Sequence, residues 1–197
     1  MVRERAARRA DVDAFLASLG VDPGELAGLE LPVTVDVMQE RTEFLASLGL
    51  TREDLAAYPL ALGCSVSKNM VPVLDYLGKL GVRHDALPDL LRRYPQVLHA
   101  SVVVDLAPVV KYLQGMGVRS VDIPRVLERY PELLGFKLKG TMSTSIAYLV
   151  DIGVGRRQIG SIITCFPEVL GMRVGKIIKP FVEYLEGIGI QKLSIAC

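Results

Sequence analysis

The sequence predicts an all-α fold, a superhelical solenoid of about five short helical repeats, and three periodic series carry that prediction. An aromatic-Pro pair recurs as Tyr58-Pro59, Tyr94-Pro95, Tyr130-Pro131 and Phe166-Pro167, with a constant spacing of 36 residues. A Tyr-Leu series (Tyr76, Tyr112, Tyr148, Tyr184) and a glycine series (Gly81, Gly117, Gly153, Gly189) keep the same period. Self-similarity at a fixed period of this length is the signature of a stacked repeat architecture.

Each unit resolves into the same elements in order. One helix carries apolar residues at i, i+3, i+4 and i+7: Leu87, Leu90, Leu91 and Tyr94, then Ile123, Val126, Leu127 and Tyr130, then Ile159, Ile162, Ile163 and Phe166. That spacing lays one apolar stripe along two to three turns, and places the closing aromatic in the core. The following proline ends the helix, because the residue before a proline is pushed out of the α region. Asp85 and Asp122 are expected as N-caps, and Thr51 with Asp54 as a capping box. The segments Pro59–Leu62, Pro95–Leu98, Pro131–Leu134 and Pro167–Leu170 read as short buried 3₁₀ turns.

A second helix follows, with Pro72, Pro108 and Pro180 in its first turn, where a missing N–H costs little. Thr144 stands in place of that proline, so a different start is expected there. The periodic glycines fall where a left-handed C-terminal cap belongs. Upstream, Phe15-Leu-Ala-Ser-Leu-Gly20 and Phe44-Leu-Ala-Ser-Leu-Gly49 repeat one phrase in less regular units. The expected layout is a basic extension over 1–14 and a repeat array over 15–197. The array is irregular to about 63 and regular after it, and its last repeat is cut short.

The 197 residues are half hydrophobic, with a mean hydropathy of +0.34. No apolar run approaches the roughly 18 residues of a membrane span, so those residues belong in a folded interior. Cys64, Cys165 and Cys197 lack ligand spacing. They suit a reducing compartment with neither disulfides nor zinc, and Cys64 and Cys165 are expected to be buried. Net charge is +1, but residues 1–59 carry a balance of −5 and residues 60–197 one of +6. Any footprint for a polyanion therefore lies in the C-terminal two thirds. The N-terminus is basic without a hydrophobic signal core, and the chain is expected to be the mature part of any imported precursor.

The units Leu90 to Leu98 with Pro108 to Val118, and Val126 to Gly135 with Tyr148 to Val154, resemble the repeat of the mTERF (mitochondrial transcription termination factor) family. The resemblance covers roughly residues 15–190. The stretch from Leu31 to Val37 and on to Lys68 through Leu77 is most similar to plant, chloroplast-targeted members. It implies a curved left-handed α-superhelix acting in organellar gene expression, in the chloroplast or, alternatively, the mitochondrion. Some animal members bind double-stranded DNA and stop transcription. Several plastid members bind RNA and support group II intron splicing or ribosomal RNA maturation.

Candidate nucleic-acid contacts are the basic residues near the start of the proline-containing helices: Lys68, Lys137, Lys139, Arg173, Lys176 and Lys179. Helix N-termini there add partial positive charge and free N–H groups suited to phosphate. Arg92, Arg93 and Arg129, just before the aromatic-Pro pairs, are further candidates, against the reading that they pair with acids. Arg156 and Arg157 read as plain surface. Tyr76, Tyr112, Tyr148 and Tyr184 could stack bases, but a periodic aromatic in a solenoid is usually structural.

Gly153 to Gly160 lacks the Gly-Lys-Ser/Thr ending of a phosphate loop. His84 and His99 have no ligand partners at metal spacing, and Ser143, Thr144 and Ser145 lack a nucleophile elbow. The chain is read as no enzyme and as needing no cofactor. It is read as a monomer that binds nucleic acid, RNA before duplex DNA, with organellar splicing or transcription proteins as possible partners and no membrane. A protein-interaction scaffold, its acidic N-terminal repeats docking a basic partner, is the alternative.

Overall fold

The computed structural model describes residues 2–26, 28, 29, 31, 32 and 34–190, with the side chains of 2–8 and 139 left aside. Every regular element among the described residues is helical. The α-helices are α1 (Val2–Ser18), α2 (Val35–Ser47), α3 (Arg52–Ala57), α4 (Val71–Leu80), α5 (Leu87–Arg93), α6 (Ala107–Gly115), α7 (Ile123–Arg129), α8 (Ser143–Asp151), α9 (Arg156–Cys165) and α10 (Lys179–Gly187). None is long and apolar enough to cross a membrane. Two compact units divide the chain, Met1–Tyr76 with His84–Ser101 and Leu77–Arg83 with Val102–Cys197.

The aromatic-Pro pairs act as the spacing predicts. Tyr58, Tyr94, Tyr130 and Phe166 each close a helix with φ near −140°, and a 3₁₀ turn follows at Pro59–Gly63, Pro95–His99, Pro131–Gly135 and Pro167–Leu170. Proline at the first position of such a turn gives up no bond. Gly81, Gly117, Gly153 and Gly189 all have φ between 89° and 98°. At Gly81 the Val82 N–H reaches back to Leu77 O at 3.0 Å, closing a left-handed cap that a Cβ would strain.

The second helix of each repeat starts earlier and differently than its proline suggests. A π-helical turn precedes it at Val66–Met70, Val102–Leu106, Leu138–Met142 and Val174–Ile178, again 36 residues apart. In the first, Met70 N–H bonds Ser65 O at 3.1 Å, five residues back. An α-helical proline ring would clash with the carbonyl four residues before it, and the wider π turn relieves that clash. Pro72, Pro108 and Pro180 thus sit one turn inside a continuous helix. Thr144 does not change the start, contrary to expectation. Its unit has the same π turn, and Thr144 Oγ1 donates to Gly140 O at 2.8 Å, the carbonyl that a proline would leave without its α-helical donor.

Other local expectations separate. Thr51 and Asp54 form a reciprocal capping box. Asp85 and Asp122 each lie in a 3₁₀ turn leading into a helix: Ala86 rather than Asp85 is the N-cap residue of α5, and the Asp122 side chain makes no capping bond but takes Arg119 at 2.6 Å. Cys64 is buried as expected, whereas Cys165 is exposed. Phe166 is 62% exposed rather than core, while Tyr58, Tyr94 and Tyr130 are half-buried.

In the first unit the core is built on Leu16, Met38, Leu45, Leu62, Leu90 and Leu98. Arg41, 8% exposed, donates from Nη1 to Leu62 O at 2.6 Å, so its buried cation ties α2 to the 3₁₀ turn. In the second unit Leu106, Leu113, Val126, Leu127, Leu133 and Ile163 fill the interior. There α7 packs on α9, and Gly160 lies so close to Gly117 that a Cβ would strike its carbonyl. One repeat earlier Pro124 covers Gly81 in the same way. Gly81 and Gly117 are thus seats for Pro124 and Gly160, which stand one period apart on the next apolar-stripe helices.

Candidate nucleic-acid interface

The candidate cations sort by the element that holds them. Lys68 lies in the π turn of the first unit. Lys137, Lys139, Arg173 and Lys176 lie at or just before the two last π turns of the second unit, and Lys179 is the residue after. Lys137 and Arg173 are one period apart, so they occupy the same place in successive repeats. Ser65 caps the first of these turns by accepting from Lys68 N–H at 3.3 Å, and Asn69 Oδ1 accepts from Ser65 N–H at 3.0 Å. The positive end of the helix dipole lies at these starts, but the Lys68 N–H is taken by Ser65 Oγ and the Gly140 N–H by Ser143 Oγ, which leaves the side-chain cations rather than those backbone donors to meet a ligand.

Lys68, Lys137, Arg173 and Lys176 are exposed and make no ion pair among the described residues. Lys179 sits 3.8 Å from Glu183 on its own helix, with both side chains open to solvent. The Lys139 side chain lies outside the described residues. An exposed, unpaired ammonium or guanidinium is suited to a phosphate oxygen, since it has no internal acceptor to give up.

The arginines before the aromatic-Pro pairs are held differently. Arg92 Nε meets Asp54 Oδ2 and Nη1 meets Asp89 Oδ1, each at 3.0 Å, and Nη2 donates to Gly49 O at 2.8 Å. Asp54 is kept below the usual carboxylate range by Thr51 N–H first and by Arg92 after it. Arg129 Nε meets Glu168 Oε1 at 3.0 Å, with its guanidinium 5.3 Å from the centre of the Phe166 ring. Both residues clasp one repeat to the next. Arg93 is exposed at the end of α5.

The sequence reading did not single out the π turns or Val103 and Val104. These valines are 79% and 71% exposed in the turn Val102–Leu106, at positions where the neighbouring repeats carry Ser67, Lys68, Lys139 and Gly140. The missing lysine in the 36-residue frame was the available signal. The tyrosine series is mostly structural: Tyr76, Tyr112 and Tyr148 are half-buried, and burial raises the hydroxyl pKa of the first two.

The remaining polar groups are local. Cys64 Sγ stands 3.3 Å from His99 Nδ1 and 3.5 Å from Leu98 O, and burial pushes its thiol up to about 11. Tyr58 packs edge-on against His99. Burial also lowers the His99 pKa. Among the described residues no three His, Cys, Asp or Glu side chains converge as a metal site would require.

A 93-residue stretch is 89% identical to the chloroplastic transcription termination factor MTERF4 of Zea mays, covering 47% of this chain and 19% of that protein. The Oryza sativa subsp. japonica protein of the same name is 88% identical over 93 residues, and the Arabidopsis thaliana one 69% over 92. The matched stretch thus spans less than a fifth of each relative. The mTERF family pattern matches residues 74–196, more than half of the sequence and most of the repeats described above, so the chain belongs to the mTERF family.

Proposed function

We propose that this chain is a non-catalytic nucleic-acid-binding segment of a chloroplast gene-expression factor, gripping the phosphate backbone at the starts of its long helices. One observation carries the reading: Lys68, Lys137, Arg173 and Lys176 are exposed, unpaired among the described residues, and placed at recurring π turns. The chloroplast location is supported by the relatives named chloroplastic. RNA is favoured, in group II intron splicing. Nearly half of the chain is 88–89% identical to the maize and rice proteins, which are named transcription termination factors, and this keeps duplex DNA and transcription termination as the second reading.

Backbone contacts position a protein without specifying sequence. Exposed Val103 and Val104 offer apolar contact to a base or sugar between the charged turns. A comparison of matched single-stranded RNA, duplex RNA and duplex DNA across a salt series tests the reading. Preference for one RNA form supports splicing, preference for duplex DNA supports termination, and weak binding to all three at low salt contradicts both.

A further inference from the structure

The second unit holds a polar cleft of about 860 Å³ between the C-terminal end of α6 and α9. Gln114, Arg119, Arg156, Arg157, Ser161 and Thr164 stand on its walls. It lies at the opposite end of α6 from the π turn Val102–Leu106, with about 13 Å of helix between them at 1.5 Å per residue. Lys137, Arg173 and Lys176 are not among its lining residues.

The preceding repeat shows what chemistry belongs at this place. There Glu128 Oε1 accepts from Arg83 N–H at 3.1 Å and lies 3.7 Å from Arg83 Nε. One period on, Arg119 takes the place of Arg83, but Gly160, Ser161 and Thr164 take the places of Pro124, Arg125 and Glu128. No carboxylate stands at the position of Glu128, and the side chains around it are shorter. Their hydroxyls turn back on α9: Ser161 Oγ donates to Arg157 O at 3.2 Å, and Thr164 Oγ1 to Gly160 O at 2.8 Å. Arg119 N–H, the counterpart of the donor that Glu128 satisfies, bonds no acceptor among the described residues. The Arg119 guanidinium is occupied, bonding Asp122 through Nε at 2.6 Å and Nη2 at 3.2 Å. At the positions of Ser120 and Val121 stand Arg156 and Arg157, both exposed and without an ion pair among the described residues. A main-chain donor beside two unpaired guanidinium groups is suited to a carboxylate.

We propose that this cleft binds an acidic segment of a partner protein. One glutamate or aspartate carboxylate meets Arg119 N–H, as Glu128 meets Arg83 N–H one repeat earlier, and further acids meet Arg156 and Arg157. The internal carboxylate sets the ligand chemistry, and three arginines against the single Asp122 supply the charge complementarity. The site goes beyond the nucleic-acid reading and does not depend on it.

The test follows the fluorescence anisotropy of a short fluorescein-labelled polyglutamate peptide as the full chain is added. Saturable binding is expected, and the glutamine version of the peptide should bind roughly tenfold or more weakly. Replacing Arg156→Ala and Arg157→Ala together should weaken binding by a similar factor. Thr164→Glu should do the same, because it returns an internal carboxylate to the cleft. The triple variant Lys137→Ala, Arg173→Ala, Lys176→Ala should leave peptide binding unchanged, which separates this site from the phosphate grip. Circular dichroism checks that each variant folds. Absence of saturable binding overturns the proposal, as does binding that survives both the arginine pair and Thr164→Glu, or that the triple variant abolishes. Displacement of the peptide by free succinate at equal carboxylate concentration also overturns it, making a small dicarboxylate the ligand. So does displacement by single-stranded RNA whose own affinity falls in the arginine pair, which would make the cleft part of the nucleic-acid grip.

Discussion

Cys64 and Cys165 show how position within a repeat decides the chemistry of a side chain. Cys64 lies under the turn that carries Leu98 and His99, and its thiol is pushed up to about 11. Cys165 ends α9 on the exposed side. A thiol reagent at neutral pH is expected to modify Cys165 in the native protein and Cys64 only on unfolding, as mass spectrometry of digests would show. The raised thiol pKa favours the neutral form in the fold. Its stabilisation is complete below the ordinary thiol pKa and lost as pH rises toward 11. His99 works oppositely: its lowered pKa gives stability that is complete above about pH 6.5 and lost as pH falls below it. Urea midpoints should therefore fall at both ends of the pH range, and Cys64→Ala should make the alkaline limb shallower, with the half-buried Tyr76 and Tyr112 hydroxyls sustaining the rest of it.

The arginines make a second distinction at this scale. Arg92 and Arg129 are tied to acids of a neighbouring repeat, while Lys137, Arg173 and Lys176 are not. Arg92→Ala and Arg129→Ala are expected to lower the thermal midpoint modestly, being exposed pairs. Neither should change the salt dependence of nucleic-acid binding by a full contact.

Helices, turns and caps were the most legible level of the sequence, because their signals are local. The i, i+3, i+4 stripes, the glycine caps and the Thr51–Asp54 box need only a few neighbouring residues. The π turns were not legible, since no residue type marks them: Lys68, Val104, Gly140 and Lys176 occupy one position of the turn. The exposure of Phe166 was hidden for another reason. Its stripe position is apolar, but its surroundings are set by residues distant in sequence, and the Arg129 guanidinium lies 5.3 Å from the centre of its ring. Among the candidate cations, the sequence set Arg92, Arg93 and Arg129 apart as residues able to pair with acids but did not name the acids, because the partner of Arg129, Glu168, is 39 residues away.

Two substitutions probe this level. Thr144→Pro is expected to be neutral or to stabilise by roughly 0.4–1 kcal/mol, because the π turn that accepts Pro72, Pro108 and Pro180 is already present. Ala147→Pro, one turn further into the same helix, should cost about 3 kcal/mol or more. Gly160→Ala drives a methyl into the Gly117 carbonyl and should cost about 1–3 kcal/mol in urea unfolding, since both surfaces are backbone.

For the whole molecule, charge is the property that links sequence to function. The net charge of +1 gives no hint of a polyanion partner, yet residues 60–197 carry a balance of +6 and the unpaired cations gather at helix starts. If those cations hold phosphates, binding must release counterions, and affinity must fall linearly with salt on logarithmic axes.

The most direct test is the salt dependence of binding for the chain and for the triple variant Lys137→Ala, Arg173→Ala, Lys176→Ala, on the preferred nucleic acid. Each lost phosphate contact should reduce the log–log slope by about 0.7–0.9, so the triple variant should lose about 2 to 3 units. A slope that stays the same in the triple variant, or falls equally when Arg156 and Arg157 are replaced instead, would contradict phosphate gripping at the helix starts.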